Sequence, residues 1–164
     1  MNIFDFAMQM EKDGEAYYRE LRQQTNSAGL KNIFAMLAEE EVKHYRVVEQ
    51  LRNHIDNPQL AEADLLTNVK NVFVKMQQDE PRLKFAGQEL DLYRKARDIE
   101  EASRKFYLEK SAAAEQEDQK QLLRRLAQEE DKHLRIMENI VEFVSRPEPG
   151  QWLENAEWYH LEEY

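Results

Sequence analysis

The octamer LAEEEVKH at residues 37–44 returns as LAQEEDKH at residues 126–133, an offset of 89 residues. At the same offset Glu11 falls on Glu100, Tyr18 on Tyr107, Glu20 on Glu109, Lys31 on Lys120, Arg46 on Arg135 and Glu49 on Glu138. Tyr17 meets Phe106, and Ile33 meets Leu122. The match is too long for one shared motif, so the chain holds two copies of one structural unit, and reading the unit once sets most of the fold.

Within the first copy, Ile3, Phe6, Met10, Tyr17 and Leu21 recur at helical spacing from residue 2 to about residue 26, with Asn2 placed to cap and Asp5 in the first turn. A short turn-like stretch, TNSAG at residues 25–29, precedes a second periodic run of Leu30, Ile33, Phe34, Leu37, Val48, Leu51 and Ile55, expected to stop near Asn57 and Pro58. Two long helices on so short a connection form an antiparallel hairpin. In the second copy the spacing predicts helices over 88–114 and 118–145, the latter with Leu122, Leu126, Ile136, Met137, Ile140 and Val144 as its buried stripe and RPEPG at 146–150 ending it. Between the copies, Leu65, Leu66, Val69, Val72, Phe73 and Met76 fit one face of a short helix. That segment reads as a crossover packed along the bundle, which lets the second and third long helices run parallel. With only four Gly and four Pro, a turn-rich β sandwich is disfavoured. The expected fold class is all-α: a four-helix bundle over residues 1–145, made of two homologous antiparallel hairpins with a long crossover. Residues 146–164 form an aromatic tail with Trp152, Trp158 and Tyr159, expected as a short C-terminal helix packing on the bundle or on a second subunit.

Each copy also carries the same ionisable pattern, a Glu followed thirty residues later by E-x-x-H: Glu11 with Glu41 and His44, and Glu100 with Glu130 and His133. Residues three apart share a helix face, so each Glu and His point inward together. Leu37 and Val48 lie four residues before Glu41 and four after His44, which sets the polar pair inside an apolar stripe. Thirty residues climb one arm of a hairpin and descend the other to the same level. The midpoints, residues 26 and 115, fall in the two expected turns, so all six side chains reach one layer of the bundle. Four carboxylates in an apolar core repel one another and are desolvated, which drives them to take up protons unless cations are present. Two divalent ions balance four negative charges, and two imidazoles add nitrogen ligands. Such an oxygen-rich set suits Fe(II) or Mn(II), with Zn(II) as a further occupant.

Composition narrows the chemistry. There is no cysteine, which removes disulfides, Cys-ligated zinc, iron–sulfur clusters and thiol nucleophiles. A net charge of −10 opposes nucleic-acid binding, which needs clustered Lys and Arg. No apolar run is long enough to span a membrane, and the first residues lack the pattern of a signal peptide, so a cytoplasmic location without membrane partners is expected.

Taken together, E-x6-Y in the first helix (Glu11 to Tyr18), its copy in the third (Glu100 to Tyr107) and the two E-x-x-H motifs resemble the ferritin-like superfamily, and within it the rubrerythrin branch, over nearly the whole chain. The resemblance implies a ferritin-like bundle with two iron ions, bridged by Glu41 and Glu130 and held terminally by Glu11, Glu100, His44 and His133. It further implies a non-haem di-iron oxidoreductase of oxidative-stress protection that reacts with H2O2 or O2. Tyr18 and Tyr107 are expected to hydrogen-bond ligand carboxylates and orient them. Rubrerythrins usually add a rubredoxin-like domain with paired C-x-x-C motifs. A chain without cysteine has none, so electrons are expected from an external donor, a rubredoxin-like protein or a flavin reductase. A homodimer is the expected assembly. The alternatives are a ferroxidase that stores iron and a non-catalytic helical interaction module.

Where rubrerythrins resemble one another in a further Glu three residues after the ligand of the third long helix, here Glu100, this chain has Ser103, whose repeat mate is Gly14. These small residues either open a pocket for O2 or H2O2 or permit close helix packing. A third E-x-x-H, Glu157 to His160, has Ala127 rather than a Glu thirty residues before it, which favours a structural or interface role. His54 reads as a helix-terminal cation or surface residue, and Met8, Met10, Met36, Met76 and Met137 as core filler.

Overall fold

The computed structural model describes residues 2–54, 60, 64–80, 85 and 87–145. All regular structure among them is helical: α1 (Ile3–Gln24), α2 (Ala28–Arg52), α3 (Leu65–Asp79), α4 (Gly87–Ala113) and α5 (Glu117–Ser145). None of these helices is long and apolar enough to cross a membrane. The C-terminal helix expected in residues 146–164, with Trp152, Trp158, Tyr159, Glu157 and His160, lies outside the described residues, as do Ile55 and the Asn57-Pro58 stop.

The turns form where small polar residues satisfy helix ends. Ser27 caps α2 by accepting a hydrogen bond from the Leu30 amide at 3.1 Å, and the Thr25 hydroxyl accepts from the Ser27 amide at 3.2 Å. Glu80, just past α3, accepts from the amides of Ala28 and Gly29 at 2.8 and 3.1 Å, placing a carboxylate on the positive end of α2. A Cβ at Gly29 would stand 2.1 Å from Cγ of Met76, so glycine is what lets the crossover helix approach here. At its other end α2 stops at Arg52, earlier than expected. Asn53 takes the cap position, and exposed His54 adopts a left-handed backbone with φ 56°. Asn and His tolerate such conformations better than most residues, so the helix ends without requiring the proline.

Side-chain pairings fix the directions. Glu11 meets Tyr107 while Tyr18 meets Glu100, so α1 and α4 are antiparallel. His44 meets Glu130 while His133 meets Glu41, so α2 and α5 are antiparallel. Since α1 and α2 are antiparallel across their turn, α2 and α4 run parallel, as the long crossover requires. α3 packs on α2 and α5.

Two apolar clusters fill the bundle. One contains Leu21, Leu30, Ile33, Phe34, Leu37, Val69, Phe73, Met76, Ile136 and Ile140, and the other contains Met8, Val47, Val48, Leu51, Leu123 and Leu126. Glu41, His44, Glu130 and His133 stand in the sequence interval between them on α2 and α5, so a polar layer divides the core. The inward face of α1 departs from the expected stripe. Ile3 and Phe6 are 40% and 50% exposed, and the buried residues are Ala7, Met8, Glu11, Gly14, Tyr18 and Leu21. That face keeps the i, i+3, i+4 step but is built of small and polar residues, which a search for large apolar side chains passes over. Phe6 instead packs on Phe106 with ring centroids 5.0 Å apart.

Candidate metal centre

The four long helices bring Glu11, Glu41, His44, Glu100, Glu130 and His133 into one layer, each at most 4% exposed. Their donor atoms form two overlapping groups. Glu11, Glu41, His44 and Glu130 offer ligand atoms within 4.8 Å of one another, and so do Glu41, Glu100, Glu130 and His133. Glu41 and Glu130 belong to both. Nδ1 of His44 lies 3.0 Å from Glu130 Oε1 and 3.5 Å from Glu11 Oε2. Nδ1 of His133 lies 3.1 Å from Glu41 Oε1 and 3.4 Å from Glu100 Oε1. The two imidazoles stack with centroids 5.4 Å apart and planes 8° apart. The near-twofold relation of these contacts is the spatial form of the sequence repeat.

Two tyrosines close the layer from opposite hairpins. Tyr18 donates to Glu100 Oε1 at 2.5 Å, and Tyr107 donates to Glu11 Oε1 at 2.6 Å. Burial and then the neighbouring carboxylates hold both phenols well above their usual pKa, so they stay neutral donors.

The carboxylates divide into two kinds. Burial and the charges of Glu11 and Glu100 push Glu41 well above the usual carboxylate range, and burial with Glu11, Glu41 and Glu100 does the same to Glu130. Burial also opposes ionisation of Glu11 and Glu100, but the attraction of His44 and of His133 respectively outweighs it and lowers each to about 2. For His133, burial lowers the pKa and Glu100 raises it, with a net rise. With protein groups alone, two of the four glutamates therefore keep their protons. Even so, Glu11 Oε2, Glu100 Oε2 and both Nε2 atoms are buried without a hydrogen-bond partner. A set of oxygen donors that suppresses its own ionisation and leaves lone pairs unmatched is suited to divalent cations.

Glu40 and Glu129 escaped the sequence reading. Both are buried, at 6% and 2% exposure, and each is paired with the lysine three residues on, at 3.0 Å. Glu40 can also group with His44 and His133. The available signal was their position directly before each E-x-x-H glutamate in both copies.

Gly14 resolves one of the open alternatives. A Cβ there would stand 3.0 Å from Glu41 Oε2 and 3.2 Å from its Cδ, so the space that glycine leaves is used by the Glu41 carboxylate rather than by a pocket for O2 or H2O2. Its repeat mate Ser103 is buried.

Comparison with known proteins gives no match among curated proteins or solved structures. A family model described as Rubrerythrin matches residues 2–141, from the cap of α1 to within about a turn of the end of α5, and so takes in both hairpins and every residue of the cluster. On that match the chain belongs to the rubrerythrin family.

Proposed function

We propose that the protein is a di-iron oxidoreductase that reduces H2O2 or O2. The observation that carries this reading is the sharing of Glu41 and Glu130 between two four-residue donor groups, the arrangement that two adjacent ions require. Glu11 and His44 would complete one position, Glu100 and His133 the other. Iron fits the donor set, with manganese and zinc as further occupants. When bound, two Fe(II) ions would supply one electron each, which balances the reduction of H2O2 with two protons to two waters, or of O2 with two protons to H2O2.

The chain's own residues prepare that chemistry. Tyr18 and Tyr107 hold Glu100 and Glu11 in orientation, and the apolar clusters on either side of the layer exclude water. Glu41 and Glu130, whose pKa values burial and their neighbours raise, would give up their protons on binding cations. Reduction after turnover would come from an external donor, a rubredoxin-like protein or a flavin reductase, in the cytoplasm, with the chain as a homodimer.

Anaerobic titration with Fe(II), followed by H2O2 or O2 and watched by near-ultraviolet absorbance, tests the proposal. A plateau at about two irons per chain is expected. A plateau elsewhere overturns the paired site, and the two oxidants' relative rates separate peroxidase from oxidase. Light scattering of a large cage would favour iron storage instead, and no metal uptake at all would favour an interaction module.

A further inference from the structure

On the outer side of α4 and α5 lies a half-open cavity of about 600 Å³. Arg104, Arg124, Arg125 and Lys132 line it against only two acids, Glu129 and Asp131, in a chain whose net charge is −10. Leu108 and Ala127 give it an apolar patch. The internal repeat supplies a control for what this wall needs structurally. At the equivalent positions of α1 and α2 stand Glu15, Ala35 and Met36 in place of Arg104, Arg124 and Arg125. There, Glu15 and Glu39 are both satisfied by Arg19, at 2.7 and 3.0 Å. The buried acids Glu40 and Glu129 keep their lysine partners in both copies. One hairpin therefore folds without the three arginines, whereas in the other Arg125 lies 3.6 Å from Glu129 and Arg104 lies near Asp131, an acid that stands where α2 has Val42.

Arg104 is also poorly used by the protein itself. Its Nε is buried without a hydrogen-bond partner, and its nearest carboxylates, Glu101 and Asp131, lie 3.8 and 3.9 Å away, beyond hydrogen-bond reach. A guanidinium presents a planar fork of donors that matches phosphate oxygens, and several around one cavity make a phosphate site. The volume exceeds what a lone phosphate fills and falls in the range of small-molecule sites.

We propose that this cavity binds a phosphate-bearing small molecule of nucleotide size, with the phosphate on Arg104, Arg124 and Arg125 and the uncharged body against Leu108 and Ala127. Glu129, Asp131 and Lys132 share a helical turn with Glu130 and His133, so an occupant stands roughly one helix diameter, ~10 Å, from the metal layer. The site is independent of which metal that layer holds.

Calorimetric titration of the full chain with adenosine 5′-monophosphate, inorganic phosphate and adenosine separates the contributions. The monophosphate is expected to bind at one site, phosphate to compete more weakly, and adenosine to bind at least about tenfold more weakly. Replacing Arg104→Glu, Arg124→Ala and Arg125→Met together installs the residues of the other hairpin. This variant is expected to keep the Fe(II) stoichiometry of the parent, though at a lower urea midpoint because the carboxylate introduced by Arg104→Glu would face Glu101 and Asp131, while losing about tenfold or more in affinity for the monophosphate. Should the triple variant fail to fold, Arg124→Ala alone, on an exposed side chain, carries the same expectation of weakened binding. Absence of monophosphate binding at millimolar concentration, or affinity unchanged in the variants, overturns the proposal. Phosphate binding as tight as the monophosphate overturns the nucleotide-sized ligand.

Discussion

The hydroxyl of Tyr18 on α1 donates to Oε1 of Glu100 on α4 at 2.5 Å, and the repeat returns the bond, Tyr107 on α4 donating to Oε1 of Glu11 on α1 at 2.6 Å. Each hairpin's glutamate is thus held by the other hairpin's tyrosine. A single hairpin contains a Glu, a Tyr and an E-x-x-H but cannot satisfy its own glutamate, so the site exists only where two copies meet face to face.

Tyr18→Phe and Tyr107→Phe test that cross-support. Each removes a hydrogen bond to a buried ionised carboxylate, worth about 1.5–3 kcal/mol. The metal-free protein should lose stability of that order in urea titration. Fe(II) affinity should fall about 10- to 100-fold, because the ligand glutamate is no longer oriented. Unchanged affinity in both variants would remove the tyrosines from the metal centre.

Much of this architecture was open to reading because the repeat constrains it twice. The turns lie at residues 25–27 and 114–116, around the expected midpoints 26 and 115, and the six ionisable residues share one layer. On α1 the repeat motif placed Glu11 and Tyr18 inward, but the rest of that face was not legible, since the large apolar Ile3 and Phe6 are exposed and the small Ala7 is buried. The same holds for Gly14. Its smallness was visible, but only the packed bundle shows that the Glu41 carboxylate occupies the space beside it. Helix α2 ends at Arg52 for a local backbone reason, the left-handed His54, rather than at the conspicuous proline.

Metal binding should release protons. Glu41, Glu130 and His133 bind protons more tightly in the folded metal-free chain than in the unfolded one. Their contribution to stability is fully present below their ordinary pKa values and is lost as pH rises through the raised ones. Glu11 and Glu100, at about 2, act in the opposite sense, contributing above the ordinary value of 4.5 and losing that contribution as pH falls toward 2. From these groups the metal-free protein should be most stable near pH 4.5 to 5 and should weaken toward pH 8, read as a falling urea midpoint in the presence of chelator. Calorimetry in buffers of different ionisation enthalpy should show proton release on Fe(II) or Zn(II) binding. A urea midpoint that rises steadily from pH 5 to 8 without metal would contradict the protonated pair.

Gly14→Ala separates helix stability from site geometry. Alanine favours the helix interior by about 1 kcal/mol over glycine. Its methyl group, however, would press on Glu41 Oε2 from 3.0 Å, so the carboxylate must move by a few tenths of an ångström. The variant should match or exceed the parent in metal-free stability and bind Fe(II) about tenfold less tightly, the scale on which disturbed ligand support is felt. Chelator competition and urea titration on the same sample read both quantities. Lower metal-free stability with intact affinity would show that Gly14 serves helix packing instead.

Replacing Glu41→Gln and Glu130→Gln together sets the cost of the site against the fold. Both glutamates are held protonated by burial and by their neighbours, and a glutamine amide has nearly the same shape and can still donate to Glu11 and Glu100. The double variant should therefore unfold within about 1 kcal/mol of the parent when chelator is present at pH 5, since no ionised group is lost. At higher pH it should be the more stable of the two, because amides cannot be forced to ionise in an apolar layer. Metal reverses the order. A ligand at 100 times its Kd stabilises the folded parent by about 2.7 kcal/mol, and a variant lacking both shared carboxylates gains none of it. Thermal melts with and without Fe(II) or Zn(II) give all four stabilities. A parent that does not respond to metal would mean that the carboxylate layer serves the fold alone, whereas a double variant that collapses even with chelator would show that the protonated pair holds the bundle together.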